Sequence, residues 1–137
     1  MDGYRLVCAV PVRFADTDAL GHVNNAHYLT FIECARLEYI KQVLGLVKVS
    51  DFGVILARAE IDYKSPAFHY ETLKVGCRVD GLGGSSISMK YRVEEKVSGR
   101  LVAQAASVLV AFDYALGRPV RLRPEWRTKM EEFDALT

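Results

Sequence analysis

The sequence predicts an α+β fold in which an antiparallel sheet of about five strands curls around one long helix, and three observations predict it. One is a stretch of helical apolar period, residues 25–44, too apolar around its girth for an ordinary surface helix. The second is a set of segments that alternate apolar and polar residues, one before that helix and the rest after it. The third is the turn punctuation among the later segments, from Gly81 to Gly84 and at Val97-Ser98-Gly99, which marks hairpin connections. One strand, one helix and then a run of strands is an α+β order, because a parallel sheet needs a crossover between every pair of strands.

Taken in order, residues 4–14 put Tyr4, Leu6, Cys8, Val10, Val12 and Phe14 on one face, with Arg5, Pro11 and Arg13 on the other. Pro11 has no N–H to give to a ladder, so this strand meets solvent or a bulge there. After a polar loop, Tyr28, Phe31, Ile32, Ala35, Tyr39, Ile40 and Val43 follow the helical period, and Leu29 widens their face past half the circumference. Glu33, Arg36, Glu38, Lys41 and Gln42 form the narrower polar side. Asn24 or Asn25 can cap the first turn, and Gly45 sits where a left-handed residue closes the last.

Residues 53–63 resume alternation, with Ile55, Ala57, Ala59, Ile61 and Tyr63 facing in, until Ser65-Pro66 ends the strand. Leu73, Val75, Cys77 and Val79 are the inner row of a third strand, and Ile87, Met89, Tyr91 and Val93 of a fourth. Residues 101–112 are small or apolar on both faces, as in a strand inside the sheet with the helix within and a partner subunit without. A short helix over 125–133, packed by Trp126, Met130 and Phe133, ends the chain.

At 137 residues the chain is expected to be one domain, 1–137, with a sizeable core. No apolar run approaches the roughly 20 residues of a spanning helix, and the N-terminus lacks a basic region followed by an apolar one, so a cytoplasmic protein with no membrane span is expected. A net charge of +1 supplies no field for nucleic acid, and the basic run 118–129 reads as a solvated face. Cys8, Cys34 and Cys77 are odd in number, far apart and in apolar patterns, which reads as three small buried side chains in a reducing compartment.

The loop from Asp16 to Asn25 gathers two carboxylates, an imidazole and two Asn at the mouth of a helix meant for burial. Such groups are costly there unless satisfied, so function is expected at this place. Asp18 is either a loop-capping residue or a carboxylate held beside the free N–H groups of the helix start. Asp16 could share acid and base work with it, but its plainer task is to accept loop amide hydrogen bonds. His22 is expected to hold the loop through Asp16, Asp18 or a backbone carbonyl, His27 to lie on the helix surface or an interface, and His69 in a loop. Zinc spacings are absent, so no metal is expected, and no serine or cysteine stands in a nucleophile elbow.

The run FADTDALGHVNNAHYLTFIECAR resembles the hotdog-fold acyl-CoA thioesterases, in the branch that includes 4-hydroxybenzoyl-CoA thioesterase. Phe14, Asp16, Asp18, Gly21, Val23, Asn24, Asn25 and Tyr28 carry the likeness, which extends over most of the chain. It implies a hotdog fold and hydrolysis of an acyl-CoA to free acid and coenzyme A, with no cofactor. Asp18 takes the position of the catalytic carboxylate, and the backbone amide of Asn25 that of the group polarising the thioester carbonyl. Gly21, His22, Asn24 and Tyr28 become the candidate substrate-binding residues. Where the 4-hydroxybenzoyl-CoA enzyme has aromatic residues this sequence has Asn24 and Asn25, a version similar to relatives that take fatty or other aliphatic acyl groups. A second branch draws its carboxylate from the helix, a part that Glu33 or Glu38 could mimic.

Two other functions fit the same residues. A hydratase or dehydratase would need Asp18 and His22 to meet on the substrate, and a non-catalytic acyl-CoA-binding protein would need neither. A sheet this small has two open edges, so a homodimer is expected, or a homotetramer of paired dimers, with the active site at the subunit interface.

Overall fold

The computed structural model describes residues 1–136. Five long strands, β1 (Leu6–Pro11), β2 (Val54–Tyr63), β3 (Thr72–Leu82), β4 (Ser86–Glu95) and β5 (Leu101–Asp113), form an antiparallel sheet in the order β1-β3-β4-β5-β2. The helix α1 (His27–Leu44) lies against it, and α2 (Pro124–Phe133) packs beside α1. A sixth strand of two residues, β6 (Arg118–Pro119), pairs with the end of β5 after a turn at Gly117 and was not foreseen.

The alternating rows bury as their period requires. Leu73, Val75, Cys77 and Val79 of β3 have no exposed surface, and Ile87, Met89, Tyr91 and Val93 of β4 are similarly enclosed. From α1 they meet Tyr28, Phe31, Ile32, Ala35, Tyr39, Ile40 and Leu44. Each large side chain so enclosed is worth about 1.5–3 kcal/mol relative to exposure, so a cavity at Leu73 would cost about 2–5 kcal/mol. Asp134, just past α2, ties three elements together: its Oδ2 accepts from Tyr39 of α1 at 2.6 Å and from the Val79 amide of β3 at 2.8 Å. Gly45 closes α1 with φ 71°, its N–H on the Lys41 carbonyl.

The structure departs from the sequence expectation in four places. The first strand ends at Pro11, and Phe14, placed in the inner row, is 79% exposed on a 3-10 turn, Phe14–Asp16. That turn follows from the Asp16 carboxylate accepting the Arg13 N–H, which bends the chain out of the ladder. The helix begins at His27 rather than Asn25, because Asn24 Oδ1 takes the Ala26 amide in a local turn and stands outside the helix. In β2 a bulge between Leu56 and Arg58 inserts Ala57, so the inner row runs Val54, Leu56, Ala59, Ile61, Tyr63; the expected Ile55 and Ala57 do not belong to it. Cys34 is exposed on α1, not buried, and Cys8 is half-buried; only Cys77 is enclosed.

The two edges of the sheet differ. β1 pairs only with β3, so the missing N–H of Pro11 costs the sheet nothing. β2 is the other edge. It is ten residues long, with Ile55 40% and Leu56 47% exposed, and Leu29 and Leu37 of α1 stand open beside it. A groove runs between α1 and β2 with β5 at its floor. No described helix is long and apolar enough to cross a membrane.

Candidate active site

Asp16 organises the loop that leads into α1. Its side chain is 1% exposed, and its carboxylate accepts from the Arg13 amide at 2.8 Å and from Arg13 Nη2 at 2.8 Å. His27 Nδ1 lies 3.1 Å from the same carboxylate, so that nitrogen carries the proton. The Arg13 guanidinium, with its backbone N–H and His27 adding to it against the cost of burial, holds the Asp16 carboxyl down at about 2. Asp16 is thus the loop's anchor, in keeping with its plainer reading. His27, read as a residue of the helix surface or an interface, is partly exposed and is also one of its partners.

The loop is closed by the Thr17 to Val23 bridge and by the Val23 amide on the Ala67 carbonyl at 2.8 Å. Within it Asp18 is half-buried. Its Oδ1 accepts the Leu20 amide at 2.9 Å, and its Oδ2 lies 3.9 Å from His22 Nδ1, which itself sits 3.4 Å from the Val23 carbonyl. One oxygen of Asp18 therefore fixes the turn and the other has no donor at hydrogen-bond distance among the described residues. Gly21, at φ 84°, makes the left-handed step that returns the chain to His22.

The entry to α1 leaves the Asn25 donor free. The Asn24 amide gives to the Asp16 carbonyl at 2.8 Å, and the Asn24 carbonyl receives His27 N–H at 2.9 Å. Asn24 Oδ1 receives the Ala26 amide, and the Asn25 carbonyl receives the Tyr63 hydroxyl at 3.0 Å. The Asn25 N–H has no acceptor among the described residues. It stands beside an open space of about 320 Å³ lined by His22, Asn25, Tyr28, Tyr63, Lys64 and Ser65.

His22, Asn25 and Tyr28 are thus brought together as the sequence suggested. Asp18, Gly21 and Asn24 belong to the same loop and are not part of the lining. Tyr28 is buried with its ring edge-on to Tyr63 at 5.3 Å, so it serves the core and the site wall at once. Tyr63 was missed, since it read only as an inward strand residue; Lys64, an outward charge that the sequence offers beside Arg58, Lys90 and Arg92 for the coenzyme's phosphates, was not singled out. The Ser65-Pro66 stop was the available signal, because it halts β2 where its last side chains face the helix mouth. Arg100 also escaped notice: it clamps Glu71 through both carboxylate oxygens at 2.9 and 3.0 Å and holds the Pro66 carbonyl, fixing the loop that carries Ala67.

Two adjoining spaces lie elsewhere between α1 and β2: a slot of about 80 Å³ beside Ile32, Ala59 and Ser107, and a wider one of about 480 Å³ beside Leu37, Ile40 and Val54. Glu33, expected on the solvated side, lines both with Arg36. Glu38 faces away and accepts from Gln42 at 2.6 Å. Among the described residues no three His, Cys, Asp or Glu side chains gather to hold a metal.

A family model described as the thioesterase-like superfamily matches residues 12–130. A thioesterase from Thermus thermophilus, solved with coenzyme A and zinc, superposes with a TM-score of 0.90 at 33% identity, covering 100% of this chain and 99% of that one. The long-chain acyl-CoA thioesterase FadM of Escherichia coli is 26% identical over 126 residues, 90% of this chain and 96% of that protein. The 1,4-dihydroxy-2-naphthoyl-CoA hydrolase of Synechocystis is 24% identical over 127 residues, 90% and 92% of the two chains. The fold is the hotdog fold of these thioesterases, an antiparallel sheet wrapped around a central helix.

Proposed function

The chain belongs to the thioesterase-like superfamily, and we propose that it is an acyl-CoA thioesterase that hydrolyses an aliphatic acyl-CoA to the free acid and coenzyme A. The observation that carries this reading is the free N–H of Asn25, held by Asn24 and Tyr63 at the open start of a helix. A thioester carbonyl oxygen seated on that N–H gains a fixed donor and the positive end of α1, and both strengthen as the oxygen becomes an anion. The reacting carboxylate is Asp18, whose uncommitted Oδ2 either attacks the carbonyl carbon or takes a proton from an attacking water. No cofactor and no metal enters the reaction.

Gly21 and His22 shape the loop against the substrate, while Asn24 and Tyr28 hold the carbonyl end. The long-chain acyl-CoA substrate of the FadM relative and the length of the α1–β2 groove support an aliphatic tail. An aromatic acyl group, as in the Synechocystis relative, would leave most of that groove unused. The 3.9 Å approach of His22 to Asp18 favours hydrolysis over hydration, in which the two would have to separate around the substrate.

We further propose that 1–137 acts as one domain, that two copies associate through the open edge at β2 to roof the groove, and that the enzyme works in the cytoplasm. The exposed Ile55 and Leu56 and the three free cysteines support these readings. A thiol-release assay across acyl-CoAs of increasing length tests the function: free coenzyme A from aliphatic esters is expected. Binding without release, or a change in double-bond absorbance without release, would replace it with a binding protein or a hydratase.

A further inference from the structure

Midway along the groove, Tyr91 of β4 and Ser107 of β5 line the narrow slot opposite Ile32. Both are buried, at 1% and 4% exposure, and their oxygens lie 2.6 Å apart. Arg36 Nη1 donates to the Tyr91 hydroxyl at 3.2 Å. Two hydroxyls bring two protons, and one bond between them uses only one. Because Arg36 already donates to Tyr91, that oxygen is polarised to donate onward, which leaves the spare proton on Ser107. Among the described residues no acceptor takes it. Tying β4 to β5 needs one hydroxyl bond, so the remaining donor, in a slot walled by Leu29, Ile32, Leu56 and Ala59 together with Glu33, Arg36 and Glu60, is unexplained by packing.

Resting on the thioesterase reading above, we infer that the groove is built for acyl chains that carry a neutral oxygen acceptor, a hydroxyl or keto group, in mid-chain, received by the Ser107 hydroxyl. An oxygen there completes the network, whereas a plain methylene chain expels the water that would otherwise occupy the slot and leaves a buried donor unpaired. A carboxylate gains nothing, since Glu33 and Glu60 line the same slot and offset Arg36. Position follows from the helix: at about 1.5 Å of rise per residue, Ile32 and Arg36 lie about 10 and 16 Å along α1 from Asn25. A chain that rests its carbonyl at Asn25 and follows α1 past Tyr28 and Tyr63 would meet Ser107 well beyond its third carbon.

The test is a positional series of hydroxy- and oxo-hexadecanoyl-CoA esters, the oxygen walked from the third carbon to the far end, against unsubstituted hexadecanoyl-CoA. A mid-chain maximum of roughly tenfold in kcat/KM is expected, the scale of one hydrogen bond. Ser107→Ala should bring the ratio of oxygenated to unsubstituted rates at that position to about one, and Tyr91→Phe should reduce it if the alanine variant fails to fold. Cleavage of every ester with no positional preference overturns the inference and leaves the thioesterase standing, as does a preference that survives in a folded S107A. Failure to release coenzyme A from any ester overturns the thioesterase reading itself.

Discussion

The Tyr63 hydroxyl donates to the Asn25 carbonyl at 3.0 Å, so the last residue of an edge strand fixes the peptide that opens the central helix. Asn24 Oδ1 holds the other end of that peptide at Ala26 N–H. Tyr63→Phe keeps the ring against Tyr28 but frees the carbonyl, letting the Asn25 N–H wander from the oxyanion it is proposed to meet. The expected result is a fall in kcat of about 3- to 10-fold, the worth of one hydrogen bond, with KM and Tm little changed. An unchanged kcat would mean that Asn25 holds its place without Tyr63.

Asp16 makes acid sensitivity predictable. Its carboxyl sits at about 2 in the folded chain, below the 3.8 of the free group, chiefly because Arg13 hydrogen-bonds the ionised form. A depressed value means that the unfolded chain binds the proton more readily. The contribution is therefore complete above about pH 4 and lost as pH falls through about 2. Urea midpoints measured across that window should drop in the wild type. Asp16→Asn, expected to cost about 2 kcal/mol at neutral pH, should flatten the drop. Equal acid slopes in both proteins would remove Asp16 as the cause.

Much of this was legible because period decides side. The inner rows of β3 and β4 and the buried face of α1 follow from alternation and helical spacing alone, and the glycine at 45 ends the helix for a steric reason that sequence displays. The β2 register was hidden, since a one-residue bulge at Ala57 leaves no mark in a run of small apolar residues, yet it moves Leu56 into the groove and Ile55 out of it. The site was visible as a crowd of polar residues, but the division of labour was not. That Asp16 binds His27 and that Tyr63 reaches Asn25 are contacts made by the return of distant chain, and no local pattern encodes them.

Association through β2 is expected because ten residues of open edge, flanked by Ile55, Leu56, Leu29 and Leu37, are a liability that folded proteins cover. Sedimentation at micromolar concentration should give a dimer or a multiple of it. Ile55→Lys with Leu56→Lys should shift the species to monomer and lower thioester cleavage, since the groove loses its roof. A wild-type chain that sediments only as monomer rules the interface out.

Asp18 is the residue on which the chemistry turns, and its surroundings make the decisive substitution clean. Its Oδ1 accepts the Leu20 amide, a bond that an asparagine oxygen can also accept, so Asp18→Asn keeps the turn while removing the charge. Binding of a non-hydrolysable thioether analogue should survive, and kcat should fall by about 100-fold or more, the usual contribution of a positioned acid or base. The contrast with Asp16 sharpens the test, because Asp16→Asn should act through Tm and leave the residual folded enzyme active. If D18N cleaves thioesters at near the wild-type rate while Glu33→Gln in a folded chain does not, the carboxylate comes from the helix instead. Should Asp18 pass, a single turnover in oxygen-18 water separates its two modes. Direct attack forms a mixed anhydride, and water opening it at the Asp18 carbon leaves the label in the protein. Water activated by Asp18 sends the label only into the released acid.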